Sequence, residues 1–204
     1  SFDYARGYGW SFGEPAFDMS RWADAKAAEL DRLEGIYLGM LERAGVTLVR
    51  GHARIVAPHT VEIDGQRHTA RHILIATGGH PNTDTIPGLE LAMTSNGILD
   101  LREIPESLLV VGAGFIALEF ASIMARLGSQ VHLVYRGELP LRGFDDDLRQ
   151  RVARALEAKG VQLHAGHAPQ QLEHDGAGYV LHLEGGGQVR ASAVLNATGR
   201  SPNT

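Results

Sequence analysis

Leu108-Leu109-Val110-Val111-Gly112-Ala113-Gly114-Phe115-Ile116-Ala117-Leu118-Glu119 is the stretch that decides the fold. Four consecutive apolar residues predict a strand buried on both faces. Two glycines one residue apart follow, and then a helical stretch over 115–127 that Gly128 stops. The spacing Gly112, Gly114, Ala117 is the G-x-G-x-x-A pattern of a strand–turn–helix that holds a dinucleotide. Gly112 permits the tight turn, Gly114 lets the backbone approach a pyrophosphate, and Ala117 lets helix and strand pack closely. The start of the helix adds unpaired N–H groups and a partial positive charge, which favour an anion.

Downstream, the pattern continues as a doubly wound unit. A second strand is predicted over 130–135, a helix over 145–159 stopped by Gly160, and a third strand over 161–164. A β-meander follows over 170–173, 179–184 and 189–195, with turns at Asp175-Gly176 and 185–187. The expected class is α/β: a Rossmann-like βαβ domain with a meander. The end of the second strand selects the dinucleotide. An NAD site places an acid about 20 residues past the glycines, to hold the ribose 2′-OH. Here the strand ends on Arg136, with Arg142 six residues further on. A guanidinium cannot accept a hydrogen bond from a hydroxyl, whereas its fork suits a phosphate. Two arginines in a loop are more often plain surface charges, and Glu138 lies between them, but their place after the second strand favours NADP. Asp145-Asp146-Asp147 reads as a helix start rather than a cation site. His164 and His167 lack a nearby cysteine or paired acid, so no metal site is expected.

Upstream, residues 1–18 are rich in glycine and aromatics without a period, and read as a loop. A helix is expected over 20–44, with Ser20 as its N-cap, Gly45 as its stop and an apolar stripe of Leu30, Leu33, Tyr37, Met40 (or Leu41) and Ala44 that predicts one buried face. Short strands are expected over 47–50, 53–56, 60–63 and 72–76, with a turn at Asp64-Gly65. Pro81, Pro87 and Gly88 mark a domain boundary. The composition of the 204 residues, 44% hydrophobic and 21% charged, is that of a globular domain, and no apolar run is long enough for a membrane helix. The net charge of −5 offers no electrostatic basis for a nucleic-acid partner. Cysteine is absent, which removes disulfides, Cys-rich zinc sites and a thiol nucleophile from these residues. No targeting peptide is read at Ser1.

Four stretches carry a resemblance: 72–79 (HILIATGG), 112–121 (GAGFIALEFA), 141–145 (LRGFD) and 197–204 (ATGRSPNT). In this order they make the chain similar to the flavoprotein disulfide reductases, and within them to the glutathione reductases of the plant and bacterial kind. The resemblance implies an internal slice of a longer cytoplasmic enzyme. Residues 1–79 would be part of an FAD-binding domain, 80–198 an NADPH-binding domain, and 199–204 the return to the FAD-binding domain. Homodimerisation would run through a C-terminal domain beyond the chain. The cofactors implied are FAD and NADPH, and the substrate is glutathione disulfide: hydride passes from NADPH to FAD, and a cysteine pair outside these residues reduces the disulfide. The chain alone would be inactive.

By the same resemblance Ala113, Ile116 and Gly199 contact the nicotinamide nucleotide, beside the glycines and Ala117, and Arg136 and Arg142 clamp the 2′-phosphate. Glu119 is the flavin-side acid and Phe115 the nicotinamide gate. Ala53, Thr77 and Gly78 lie against FAD, and Ile36 and Tyr37 line the disulfide cleft. Two positions depart from the family. Phe115 stands where a tyrosine is common, keeping the ring without its hydroxyl. Leu38-Gly39-Met40 is less polar than is usual beside glutathione disulfide, which leaves another bulky disulfide open. Alternatives are another flavoprotein of the same scaffold (dihydrolipoyl dehydrogenase, mercuric reductase, an NAD(P)H oxidase) or a non-catalytic NADP-binding module.

Overall fold

The computed structural model describes residues 2–83 and 85–203. They form two compact units, one of residues 2–23 with 79–201, the other of residues 24–78 with 202–203. The chain begins with helices α1 (Phe2–Gly7) and α2 (Met19–Arg43), then strands β1 (Ala53–Ala57), β2 (Thr60–Ile63), β3 (Gln66–Thr69) and β4 (Gly79–Pro81). Helix α3 (Ser95–Leu99), strand β5 (Ser107–Val111), helix α4 (Phe115–Arg126) and strand β6 (Gln130–Tyr135) come next. Helix α5 (Asp146–Glu157) precedes strands β7 (Gln162–Ala165), β8 (Pro169–His174), β9 (Tyr179–Leu183), β10 (Gln188–Ala191), β11 (Ala193–Asn196) and β12 (Arg200–Pro202).

The larger unit is built in three layers. Its centre is a four-stranded parallel sheet in the order β11-β5-β6-β7. Met93 adds a parallel bridge to Leu195 on the outer side of β11. The two faces of this sheet are sorted by alternation along β5. Leu108 and Val110 pack with Ala117, Ala121 and Met124 of α4, while Leu109 and Val111 pack with Leu172, Leu181 and Val189 of the antiparallel β8–β9–β10 sheet. Leu108, Leu109, Val110 and Val111 are essentially inaccessible to water, as a strand covered on both faces must be. Asp145 starts α5: its carboxylate accepts from the backbone N–H groups of Asp147 and Leu148 at 3.0 and 3.2 Å. The expected strand over 189–195 is two strands, because Ser192 breaks the run and hands the chain from the meander (β10) to the parallel sheet (β11). Ser192 exchanges hydrogen bonds with Ser107 at the start of β5, which fixes that crossing.

In the smaller unit, β1, β2 and β3 form an antiparallel meander around Asp64-Gly65. Residues 47–50 and 72–76, expected as strands, have no regular structure, and residues 2–7 form the short helix α1 instead of loop. Helix α2 begins at Met19, so Ser20 lies within it instead of capping it, and the Asp18 carboxylate accepts from the Arg21 N–H at 2.9 Å in its place. The expected burial of its stripe fails. Only Met19 and Ala23 are buried, and Leu30, Ile36, Tyr37, Met40 and Leu41 are exposed. An amphipathic stripe is buried only where another layer covers it, and the covering is missing along this part of α2. No helix among the described residues is long and apolar enough to cross a membrane.

A pair of histidines crosses from β6 to β7. His132 Nδ1 and His164 Nε2 lie 3.1 Å apart, and the ring centroids 5.4 Å apart at an interplanar angle of 29°, so the two nitrogens meet head-on across one shared proton. His167 turns instead to the carbonyl of Ala165 at 2.8 Å. Burial holds both His132 and His164 below the ordinary imidazole range, and His132 and His167 lower His164 further. The folded chain then binds fewer protons than the unfolded chain once the pH falls below about 6.5. This contribution to stability is complete above that value and is lost on acidification. Thermal melts between pH 5 and 8 should show it: the double variant His132→Gln, His164→Gln should have a flatter pH dependence of Tm below pH 6.5 than the parent. Parallel curves would show that the pair is silent.

Candidate functional site

The carboxyl ends of β5 and β11 meet the amino end of α4, and a cleft of about 200 Å³ opens there. The turn that forms it depends on Gly112, whose φ of +119° lies outside what a side-chain-bearing residue adopts readily. A Cβ at that position would also run into the backbone of Ala197 and Thr198. The Gly112 N–H donates to Val134 O at 2.9 Å, and the Ala197 N–H to Val111 O at 2.9 Å, so β5, β6 and β11 converge on it. Gly114 is the N-cap of α4 and offers no side chain to the helix N–H groups. A Cβ on Gly114 would meet nothing within 4 Å, so the space above these donors is open. Backbone donors pointing into open space at a helix start fit a pyrophosphate. Ala117 is wholly buried against the sheet, as its position in the motif requires.

Gly114, Phe115, Ile116, Ala197, Gly199 and Arg200 line the cleft. Phe115 is 63% exposed, so its ring belongs to the cleft and not to the core. Glu119 sits one helical turn beyond Phe115, exposed, without a hydrogen-bond or ion-pair partner among the described residues. Asn196, Ser95 and Pro81 complete the lining; the sequence marked Pro81 only as part of a domain boundary and did not single out the other two. Asn196 is 3% exposed and fully engaged: its amide donates to Asn82 O at 2.5 Å, and its Oδ1 accepts from the Thr198 N–H and hydroxyl at 3.1 and 2.8 Å. Gly199 O accepts from the Asn82 N–H at 3.0 Å, and Arg200 donates to Gly79 O. The only sequence signal for Asn196 was its place directly before the 197–200 stretch.

Arg136 opens the loop after β6 and Arg142 lies six residues further along it, both exposed and without an ion-pair partner among the described residues. The loop is tied to the glycine turn: the Leu141 N–H donates to Ala113 O at 2.8 Å. The structure thus brings Gly112, Ala113, Gly114, Phe115, Ile116, Ala117, Glu119, Gly199 and the arginine loop to one end of the larger unit. In the smaller unit, Ala53 opens β1 opposite Ile63. The Thr77 hydroxyl donates to Asn203 O, and Gly78 O accepts from the Asn203 N–H at 3.0 Å, at a φ for Gly78 of +72°. Ile36 and Tyr37 lie exposed on α2.

Comparison with known proteins agrees with this geometry. Residues 10–204 match the pyridine nucleotide-disulphide oxidoreductase family, and the chain belongs to it. It is 42% identical over 205 residues to the chloroplastic/mitochondrial glutathione reductase of Pisum sativum, matching 100% of this chain and 37% of that protein. It is 37% identical over 204 residues to the glutathione reductase of a Nostoc species (99% of this chain, 44% of that one), and 35% identical over 195 residues to the mercuric reductase of Staphylococcus aureus (93% and 36%). Among solved structures, the HOCl-induced flavoprotein disulfide reductase RclA from Escherichia coli superposes with a TM-score of 0.84 at 27% identity, covering 92% of this chain and 44% of that one. The chain spans less than half the length of these relatives. Its family is one of oxidoreductases, and membership implies FAD and NADPH as cofactors.

The two motif glycines should separate stability from binding. The added Cβ of Gly114→Val has no protein atom within 4 Å, so Tm should change by no more than a few degrees while pyridine-nucleotide affinity falls at least about tenfold, because the new side chain takes the pyrophosphate's place. Gly112→Ala meets the Ala197 backbone at a disfavoured φ and should cost roughly 1–3 kcal/mol of folding stability. Calorimetric melts and nucleotide titrations check both, and unchanged affinity in Gly114→Val would remove the turn from the site.

Proposed function

We propose that this chain is the nucleotide-binding portion of an NADPH- and FAD-dependent disulfide reductase whose substrate is glutathione disulfide. The observation that carries the reading is the open glycine turn at the start of α4, tied through Ala113 and Leu141 to a loop that carries two arginines without an ion-pair partner among the described residues. The turn's N–H groups would hold the pyrophosphate of NADPH, and Arg136 and Arg142 its 2′-phosphate. Phe115, Ile116 and Gly199 would border the nicotinamide, with Glu119 one turn away on the flavin side. NADPH supplies a hydride when bound, and Phe115 would cover the place of the nicotinamide and exclude water until it arrives.

Residues 80–198 would then be the NADPH-binding domain, with 1–79 and 199–204 belonging to an FAD-binding domain. Support comes from the apolar surface left uncovered over residues 24–78, where Leu74 is 90% exposed and Leu48, Ile55 and Ile75 are also open. Ala53, Thr77 and Gly78 would touch FAD there, and Ile36 and Tyr37 the disulfide. Catalysis would need a cysteine pair from outside these residues, since they contain none. The whole enzyme would be a cytoplasmic homodimer. A second reading is favoured by the 35% identity to a mercuric reductase: the same hydride chemistry with mercuric ion as acceptor. Assays of the whole enzyme with glutathione disulfide and with mercuric ion separate the two.

The cofactor preference is tested directly on the chain. Each charge-assisted contact to the 2′-phosphate contributes roughly 1.5–3 kcal/mol, so Arg142→Ala should weaken NADPH binding about 10- to 100-fold and leave NADH binding nearly unchanged. Equal losses for both nucleotides would mark Arg142 as a structural arginine. A parent chain that binds NADH as tightly as NADPH would overturn the NADPH assignment.

A further inference from the structure

Arg149 is placed unlike the other arginines near the site. It lies in the first turns of α5, yet its guanidinium turns back under the loop between β6 and α5. Its Nε donates to Pro140 O at 2.7 Å and its Nη2 to Leu139 O at 3.0 Å. Its Nη1 reaches the Asp146 carboxylate at 2.6 Å, and the side chain is only 18% exposed. One planar group therefore holds two successive carbonyls and takes its counter-charge from its own helix, so its charge is already neutralised before any ligand arrives.

The segment it grips is under strain. Leu141, the next residue, has a φ of +55°, which a branched side chain disfavours. Its N–H is committed to Ala113 O in the glycine turn. Two ties thus bracket the bend: Arg149 on the carbonyls of Leu139 and Pro140, and Ala113 on the N–H of Leu141. Arg142 follows immediately after, and Arg136 opens the loop. Glu138, exposed between them, carries a charge that repels a phosphate if the loop turns it inward.

We infer that Arg149 is a positioning residue for nucleotide specificity: by holding the Leu139 and Pro140 carbonyls it keeps Leu141 in its strained conformation, Arg142 facing the 2′-phosphate and Glu138 away from it. This rests on the reading of Arg136 and Arg142 as the phosphate clamp. A lysine cannot replace it, because an ammonium on a flexible stem does not span two carbonyls and a carboxylate in one plane. The pyrophosphate site has its own supports: the Gly112 N–H donates to Val134 O in β6, and Gly114 O accepts from the Leu118 N–H in α4.

The experiment titrates the 204-residue chain with NADP+, NAD+, 2′,5′-ADP and 5′-AMP. The parent is compared with Arg149→Met, Arg149→Lys, Arg142→Ala and the double variant Arg142→Ala, Arg149→Met. Arg149→Met should weaken NADP+ and 2′,5′-ADP about tenfold and change NAD+ and 5′-AMP less than about twofold, a split that a general loss of structure does not produce. Arg149→Lys should recover less than half of that loss on a logarithmic scale, and it carries the test if Arg149→Met fails to fold. The double variant should lose less NADP+ affinity than the two single losses add up to, because Arg149 acts in part through Arg142. Equal losses for NADP+ and NAD+, no loss, or additive losses would overturn the role of Arg149. Failure of Arg142→Ala to discriminate NADP+ from NAD+ would instead overturn the clamp reading beneath it.

Discussion

At Gly112 the exit of β5 runs against the backbone of Ala197, which leaves the end of β11, and the two pass so closely that no Cβ fits between them. The close crossing lets two parallel strands end side by side and lets α4 start directly above them. Widening it by one methyl would push α4 away from the sheet, and Ala117 could no longer bury its side chain against β5. The open donors at Gly114 would also lose their aim. The cleft, the helix packing and the tie from Ala113 to Leu141 all follow from that contact.

The same end of the unit keeps its charges apart from its structure. Arg149 is spent on Leu139, Pro140 and Asp146. Arg136 and Arg142 are left without such partners among the described residues. An exposed ion pair contributes little to folding, so leaving these two unpaired costs the fold almost nothing. Their charge stays available to a ligand, where a phosphate binds more strongly than a surface carboxylate would.

The sequence made legible what local chemistry determines. The apolar run 108–111, the glycine spacing, the stop at Gly128 and the cap at Asp145 each have a cause within a few residues, and the strand–turn–helix is where they placed it. What it hid depends on neighbours distant in the chain. Residues 72–76 have strand composition but no partner to complete a ladder, and Leu74 stands in solvent. The α2 stripe has the period of a buried helix but no layer over most of it. The His132–His164 contact joins residues 32 apart, and nothing in either local pattern announces it. Within the site, the glycines and the arginine pair could be read from spacing, whereas Asn196 and Arg149 could not. Both act through backbone carbonyls, which any sequence supplies.

Three deficits lie in a row at this end of the unit. Phe115 and Ile116 border the cleft with apolar surface that water covers at a cost, on the order of 1.5–3 kcal/mol for a fully exposed large side chain. The first N–H groups of α4 have no side-chain cap. Beyond them, the loop tied to Ala113 presents cations without anions. A folded chain tolerates one such deficit for incidental reasons, but three different ones joined by a single turn share a single remedy. A molecule with a planar ring at one end, a diphosphate in the middle and a further phosphate at the other would relieve all three in one binding event. A ligand lacking the terminal phosphate would relieve only two, and the arginines that hold no partner would gain nothing from it.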